Sequence, residues 1–285
     1  MTRNARSRTL REIRRHLLIY AGVAPFVVIA VFPVVWMAIT AVKEESDLYR
    51  MDQFPLWFHL PPTLKNFRIL FAQTNFGTLL LNTLLLSVCV VLITVVTAVP
   101  AGYALARLRL KGETIGIAIF LTYLVPPIVL FLPLARVVGM LGLWDSWWAL
   151  VVVYPTFTIP FCTWLIMGFF KTLPRELEEA AWVDGCGVVG GIMRVVLPLS
   201  RPGIMIATIF AFTLSMQEVL YAVVYVAVRD QKTVTAGISA LLIRGDIYYW
   251  GSLMAGALLV GLPIAILYMF YIDHFVRGLI GTAGE

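Results

Sequence analysis

Gly77-Thr-Leu-Leu-Leu-Asn-Thr-Leu-Leu-Leu-Ser-Val-Cys-Val-Val-Leu-Ile-Thr-Val-Val-Thr-Ala-Val-Pro-Ala-Gly-Tyr-Ala-Leu-Ala106 runs without a single Asp, Glu, Lys or Arg. A helix needs about 20 predominantly apolar residues to cross bilayer hydrocarbon, so this stretch spans with turns to spare. Five others share its character: residues 17–41, 114–135, 146–170, 202–228 (interrupted only by Glu218) and 247–272. The chain of 285 residues is 60% apolar and 13% charged. Soluble domains run near 45–50% and ~25%, and disordered chains are biased the other way. These numbers exclude both classes and predict an all-α membrane protein with six transmembrane helices. The organisation that follows is a basic N-terminal segment (1–16), a six-span domain (17–281) with a long connecting loop at 171–201, and a short tail (282–285).

Orientation follows from Lys and Arg in the connections, which favour the cytoplasmic side. With both termini inside, the cytoplasmic segments carry fourteen, including six arginines before the first span, and the outer ones carry eight. The sequence therefore predicts both ends in the cytoplasm. The apolar run at 17–41 is longer than the ~7–15 residues of a signal-peptide core, so it is expected to stay as an anchor. The formal net charge of +6 belongs to this asymmetry, since no basic face interleaved with aromatics suggests nucleic acid. Cys89, Cys162 and Cys186 are too few and too scattered for a disulfide framework or a zinc site.

Prolines crowd the spans (Pro25, Pro33, Pro100, Pro126, Pro127, Pro133, Pro155, Pro160 and Pro263). They fit either mobile, kinked helices or the ordinary enrichment of proline in membrane helices. Ala101-Gly102 and Gly251, Ala255, Gly256 and Gly261 allow close helix approach, within the chain or to a partner. Chemistry is scarce. His16, His59 and His274 make no metal pair at helical spacing, and no phosphate-cradling Gly-rich loop or nucleophile elbow occurs. No residue is assigned a catalytic or metal-binding role, and the chain is predicted not to be an enzyme. Glu218 is the one charge inside a span. An intramembrane carboxylate is expensive unless paired or wetted, so it marks a functional candidate. With Ser215, Gln217 and Tyr221 it forms a possible pathway lining. Its place near the outer end of the span favours a structural or pore-lining role over an ion relay.

The loop at 171–201 is the most informative charged stretch. It contains Leu173-Pro-Arg-Glu-Leu-Glu-Glu-Ala-Ala-Trp-Val-Asp-Gly185. Pro174 suits the first turn of a helix, Glu176, Glu178 and Glu179 suit its positive end, and Gly185 suits a left-handed stop. Leu177, Ala180 and Ala181 are expected on one face, with Glu176 and Glu179 on another. A second helical piece is expected from about 187 to 196, after which Pro198 and Pro202 restart the chain into the fifth span. On pattern alone, a helix lying at the membrane surface explains these features more simply than a docking site.

The exact residues point elsewhere. Glu179-Ala-Ala-Trp-Val-Asp184-Gly185, with Leu197-Pro198-Leu199 and Pro202 eleven residues on, resembles the Glu-Ala-Ala loop of permeases in binding-protein-dependent ABC importers. Pro62-Thr-Leu-Lys-Asn-Phe67, Asn82-Thr83, Ala101-Gly-Tyr-Ala-Leu-Ala-Arg107 and Phe275-Val-Arg-Gly-Leu279 extend the likeness. They match the shorter permease of the carbohydrate importers of the maltose-transporter type. The resemblance implies a type I ABC importer permease fold in a prokaryotic inner membrane. It implies a second homologous permease, two ATPase subunits that bind ATP and Mg themselves, an extracytoplasmic solute-binding protein and a sugar substrate. It places the ATPase contact at Glu178, Glu179, Ala180, Ala181, Asp184 and Gly185, and puts residues 229–246 on the outer face. The chain departs from the pattern at Cys186, at Met216-Gln217-Glu218 and in the tail after Gly278. The alternative from a different class is a secondary transporter coupled to an ion through Glu218.

Overall fold

A computed structural model describes residues 2–50, 54–107, 112–245 and 247–281, with side chains described for 15–50, 54–107, 112–243, 245 and 247–271. Residues 51–53, 108–111 and 246, the side chains of residues 1–14 and the tail at 282–285 lie outside the described residues. The chain divides into two compact units, Met1–Gln73 with Leu242–Leu259, and Thr74–Leu241 with Val260–Glu285.

In the first unit, α1 (Thr2–Val42) is followed by the single turn α2 (Glu45–Leu48) and by α3 (Lys65–Thr74). Asn66, from the Pro62–Phe67 stretch, is buried and donates to the carbonyls of Ala41 (3.0 Å) and Lys43 (2.7 Å), while its own carbonyl accepts from the Ser252 hydroxyl (3.0 Å). Gly251 lies so close to the Asn66 amide that a Cβ there would overlap it. Asp47 is buried beside Lys43 (3.7 Å) and accepts the His59 backbone N–H (3.3 Å). Burial alone would push the Asp47 carboxyl up. The bond from His59 and the charges of Lys43 and His59 outweigh it and hold the carboxyl below its ordinary value.

The second unit is built on α4 (Phe76–Arg107), whose 32 residues contain the uncharged run. It continues through α5 (Gly112–Tyr123), α6 (Pro127–Met140), α7 (Trp148–Val153) and α8 (Pro155–Thr172). The loop region forms α9 (Glu176–Val183) and α10 (Gly187–Gly191), a π-helical turn (Ile192–Val196) and the short α11 (Leu197–Leu199). Then come α12 (Arg201–Gln217), α13 (Leu220–Tyr225) and α14 (Val234–Leu242). A two-residue antiparallel ribbon, β1 (Ile243–Arg244) with β2 (Ile247–Tyr248), pairs Ile243 with Tyr248 and leads into α15 (Trp250–Gly281). The all-helical class stands with this one small exception.

α4 and α8 pack along each other. A Cβ on Gly102 would sit 3.0 Å from both Ile166 Cγ2 and the Met167 backbone nitrogen, so this small residue serves packing within the chain. Farther along, the buried hydroxyls of Thr94 and Thr158 meet at 2.6 Å. Ala98, Cys162, Ile166, Phe170, Ala207 and Ala211 form one buried cluster of this unit. Leu86, Val90, Leu150, Tyr154, Tyr221 and Tyr225 belong to another.

Among the described residues, four helical stretches are long and apolar enough to cross a membrane: Arg15–Val42, Phe76–Arg107, Trp148–Thr172 (α7 with α8) and Trp250–Tyr271. The total reaches six only when two bent pairs each count as one span. The expected third span is not continuous: Gly112–Tyr123 and Pro127–Met140 meet at 89°. Pro127 disfavours the helical region for the residue before it, and Pro126 is extended (ψ 134°). The expected fifth span, 202–228, also ends early. α12 stops at Gln217, Glu218 is extended (ψ 132°) and α13 is a separate piece. On its other side α12 forms a 72° bend with Gly187–Leu199, between Pro198 and Pro202. Replacing Gly102 with Leu overpacks the α4–α8 contact and is expected to cost about 1–3 kcal/mol. It should lower the thermal unfolding midpoint of the purified chain in detergent, whereas Gly261→Leu, which meets nothing within 4 Å, leaves it nearly unchanged.

Candidate functional site

Two places concentrate polar groups in the second unit. The first is the helical loop beyond α8. Three acidic residues in the first turn of α9 face its positive end. Gly185 ends the helix in the left-handed region (φ +84°), where Cβ-bearing residues are strained, and Gly187 repeats the conformation (φ +59°). The chain thereby reverses, and a Cβ on Gly191 would contact Ala181 and the Trp182 indole.

The faces of α9 differ from the expected ones. Glu178 and Ala181 are buried, while Leu177, Glu179, Ala180, Trp182, Val183 and Asp184 are exposed. A carboxylate points inward in place of a leucine because partners wait for it. Arg107 Nε lies 2.7 Å from Glu178 Oε1, and the Tyr103 hydroxyl donates to Oε2 at 2.9 Å. Arg107 also donates to the Leu173 carbonyl at the end of α8 (2.8 Å). Both members of the pair are almost wholly buried, with 7% and 6% of their side chains exposed. Tyr103 and Arg107 were not singled out from the sequence. Their signal was there: two polar side chains one helical turn apart share a face at the end of an apolar run.

The second place lies where the two interrupted helices meet. A cavity of about 450 Å3 is lined by both breaks, with Thr122, Tyr123 and Pro127 from one side, Gln217, Glu218 and Tyr221 from the other, and Thr156 and Phe157 between them. Glu218 is engaged. It accepts the Tyr154 hydroxyl (2.9 Å) and the backbone N–H groups of Tyr221 (3.0 Å) and Ala222 (3.2 Å), and its own carbonyl accepts from the Thr235 hydroxyl (3.1 Å). The carboxylate thus caps α13, supplying acceptors to donors that the interrupted helix leaves open. Tyr221 donates to the Pro127 carbonyl (3.0 Å) and Tyr225 to that of Phe131 (2.7 Å), which fastens α13 to α6. Gln217 is exposed at the cavity. Ser215 is set apart from the other three candidates: it is buried, and its hydroxyl donates one turn back to the Ala211 carbonyl (2.7 Å). Among the described residues no group of His, Cys, Asp and Glu is arranged to hold a metal ion.

Residues 98–281, which include the loop at 171–201 and both breaks, match the family described as the binding-protein-dependent transport system inner membrane component. The chain belongs to that family. Full-length relatives agree. The sulfoquinovosyl glycerol transport system permease protein SmoH of Agrobacterium fabrum is 34% identical, over 89% of this chain and 87% of its own. The diacetylchitobiose uptake system permease protein DasC of Streptomyces coelicolor is 33% identical, over 89% and 91%. The trehalose/maltose transport system permease protein MalG of Thermococcus litoralis is 30% identical, over 96% and 97%. A chain of a bacterial ABC transporter involved in alginate import superposes with a TM-score of 0.73 at 18% identity, covering 95% of this chain and 98% of that one, so the fold is that of an ABC importer permease. This family member is a multi-pass membrane transport component and not an enzyme.

The capping role of Glu218 has a measurable consequence. Tyr154→Phe removes one hydrogen bond to a charged acceptor and is expected to cost about 1.5–3 kcal/mol, read as a lower unfolding midpoint in detergent.

Proposed function

We propose that this permease is one of two homologous membrane subunits of an ATP-driven importer, and that it passes a carbohydrate from an extracytoplasmic binding protein into the cytoplasm. The observation that carries the reading is the exposed face of α9. Glu179, Ala180 and Asp184 point away from the permease beside the left-handed stop at Gly185, at the positions the Glu-Ala-Ala resemblance assigns to ATPase docking. Of the six residues so assigned, Glu178 and Ala181 support the helix from behind, and the other four form the contact. ATP and Mg belong to the partner ATPases.

A carbohydrate is supported by relatives named for sulfoquinovosyl glycerol, diacetylchitobiose and trehalose or maltose. A periplasmic donor is supported by a fold neighbour (TM-score 0.65, 16% identity) described in complex with an alginate pentasaccharide-bound periplasmic protein. A second permease fits the most apolar stretch of Arg15–Val42, of which none is buried in this chain. In this arrangement both termini and α9 lie in the cytoplasm, and residues 229–246 face the binding protein. An ion relay through Glu218 is not favoured, because that carboxylate is committed to capping α13.

The test is reconstitution with the companion ATPase, permease and binding protein. The wild-type chain is expected to co-purify with the ATPase, and hydrolysis should rise when the binding protein carries its sugar. Glu179→Ala removes a central charged contact worth about 2 kcal/mol, roughly thirtyfold in ATPase affinity. Gly185→Val should have a similar effect by straining the stop. Unchanged ATPase recovery and uptake in the doubly substituted chain would refute docking through this face.

A further inference from the structure

The buried Arg107–Glu178 pair sits where the docking reading needs a mechanical joint, yet no part of it touches the exposed face of α9. Three elements meet there: the last turn of α4 through Tyr103 and Arg107, the end of α8 through the Leu173 carbonyl, and α9 through Glu178. A charge pair removed from water holds its geometry strictly, since displacing one partner strands the other in a medium that solvates it poorly. The Tyr103 ring is braced edge-on against Phe170 at 5.7 Å. α9 therefore cannot shift or roll against the end of α4 without parting this pair.

The opposite end of α4 is also tied. Asn82 donates to the carbonyls of Asp230 (2.7 Å) and Lys232 (3.2 Å), Thr83 accepts the Val234 backbone N–H (2.7 Å), and Asn75, just before the helix, donates to Asp230 (3.1 Å). Some 25 residues of continuous helix, about 37 Å at 1.5 Å per residue, separate these ties from the joint. Its only proline is Pro100.

We infer that α4 is the rod through which the segment at 230–234 and the coupling helix α9 sense each other, and that Arg107 and Tyr103 are positioning residues that fasten it to α9 through Glu178. The route is one continuous helix tied by hydrogen bonds at one end and by the buried ion pair at the other. This inference rests on the proposed importer function.

The experiment compares Arg107→Leu, Tyr103→Phe and the charge-reversed pair R107E/E178R in the reconstituted complex, scoring ATPase recovery, basal hydrolysis, hydrolysis with loaded binding protein, and uptake. Arg107→Leu is expected to retain ATPase recovery and basal hydrolysis while stimulation and uptake fall on the order of tenfold, within the usual range of coupling between sites. Tyr103→Phe keeps the ring and should cause a smaller loss of the same kind. It carries the test if Arg107→Leu fails to reach the membrane. The reversed pair should regain part of the stimulation, which a merely space-filling role would not allow. Wild-type stimulation in Arg107→Leu or Tyr103→Phe overturns the inference, as does loss of stimulation only in proportion to lost ATPase. Failure of the wild-type chain itself to recover the ATPase would instead overturn the importer reading.

Discussion

Inside hydrocarbon a backbone N–H or C=O that lacks a protein partner costs several kcal/mol, and water is not there to supply one. Continuous helices such as α4 meet this demand by themselves. The breaks do not, and side chains from neighbouring elements supply partners there. At the α12–α13 break, Glu218 supplies acceptors to two open N–H groups, and Tyr154 steadies the carboxylate. At the α5–α6 break, prolines remove donors, and the Pro127 carbonyl is taken up by Tyr221. The cavity of about 450 Å3 between the breaks is the space that two shortened helices leave open.

The same economy governs the rest of the unit. With so few charges, half-buried Glu218 caps a helix, and the buried pair of Arg107 with Glu178 joins three elements. Where no charge is available, small residues and hydroxyls serve. Gly102 lets α8 approach α4, and Thr94 meets Thr158 across the same contact. The result is a group of helices packed around α4, with the short helix α9 exposing one face beyond its end.

The spans were legible because lack of charge over 20 or more residues is a property of the chain itself, independent of tertiary contacts. Pro174 and Gly185 marked the ends of α9 for the same local reason: one fixes φ, and the other tolerates a positive φ. The inward face of α9 was not legible. Periodicity placed Leu177 and the alanines together, but what turns Glu178 inward is an arginine 71 positions earlier. Likewise nothing local ends α12 at Gln217. The break is held by Tyr154 and Thr235, which reach Glu218 from other helices. The pathway set divided similarly: Ser215 has a hydroxyl in a suitable run, but helical geometry returns it to its own backbone.

The cap at Glu218 also constrains how such a protein can diversify. A residue that must accept N–H groups from α13 cannot be exchanged freely without opening the start of that helix, so the cavity wall is held to a carboxylate at this point. Variation that preserves the fold is left to neighbours that line the same space without holding a helix end, such as Gln217. The carboxylate is thus part of the framework of the fold, and the freedom to vary lies in the side chains around it.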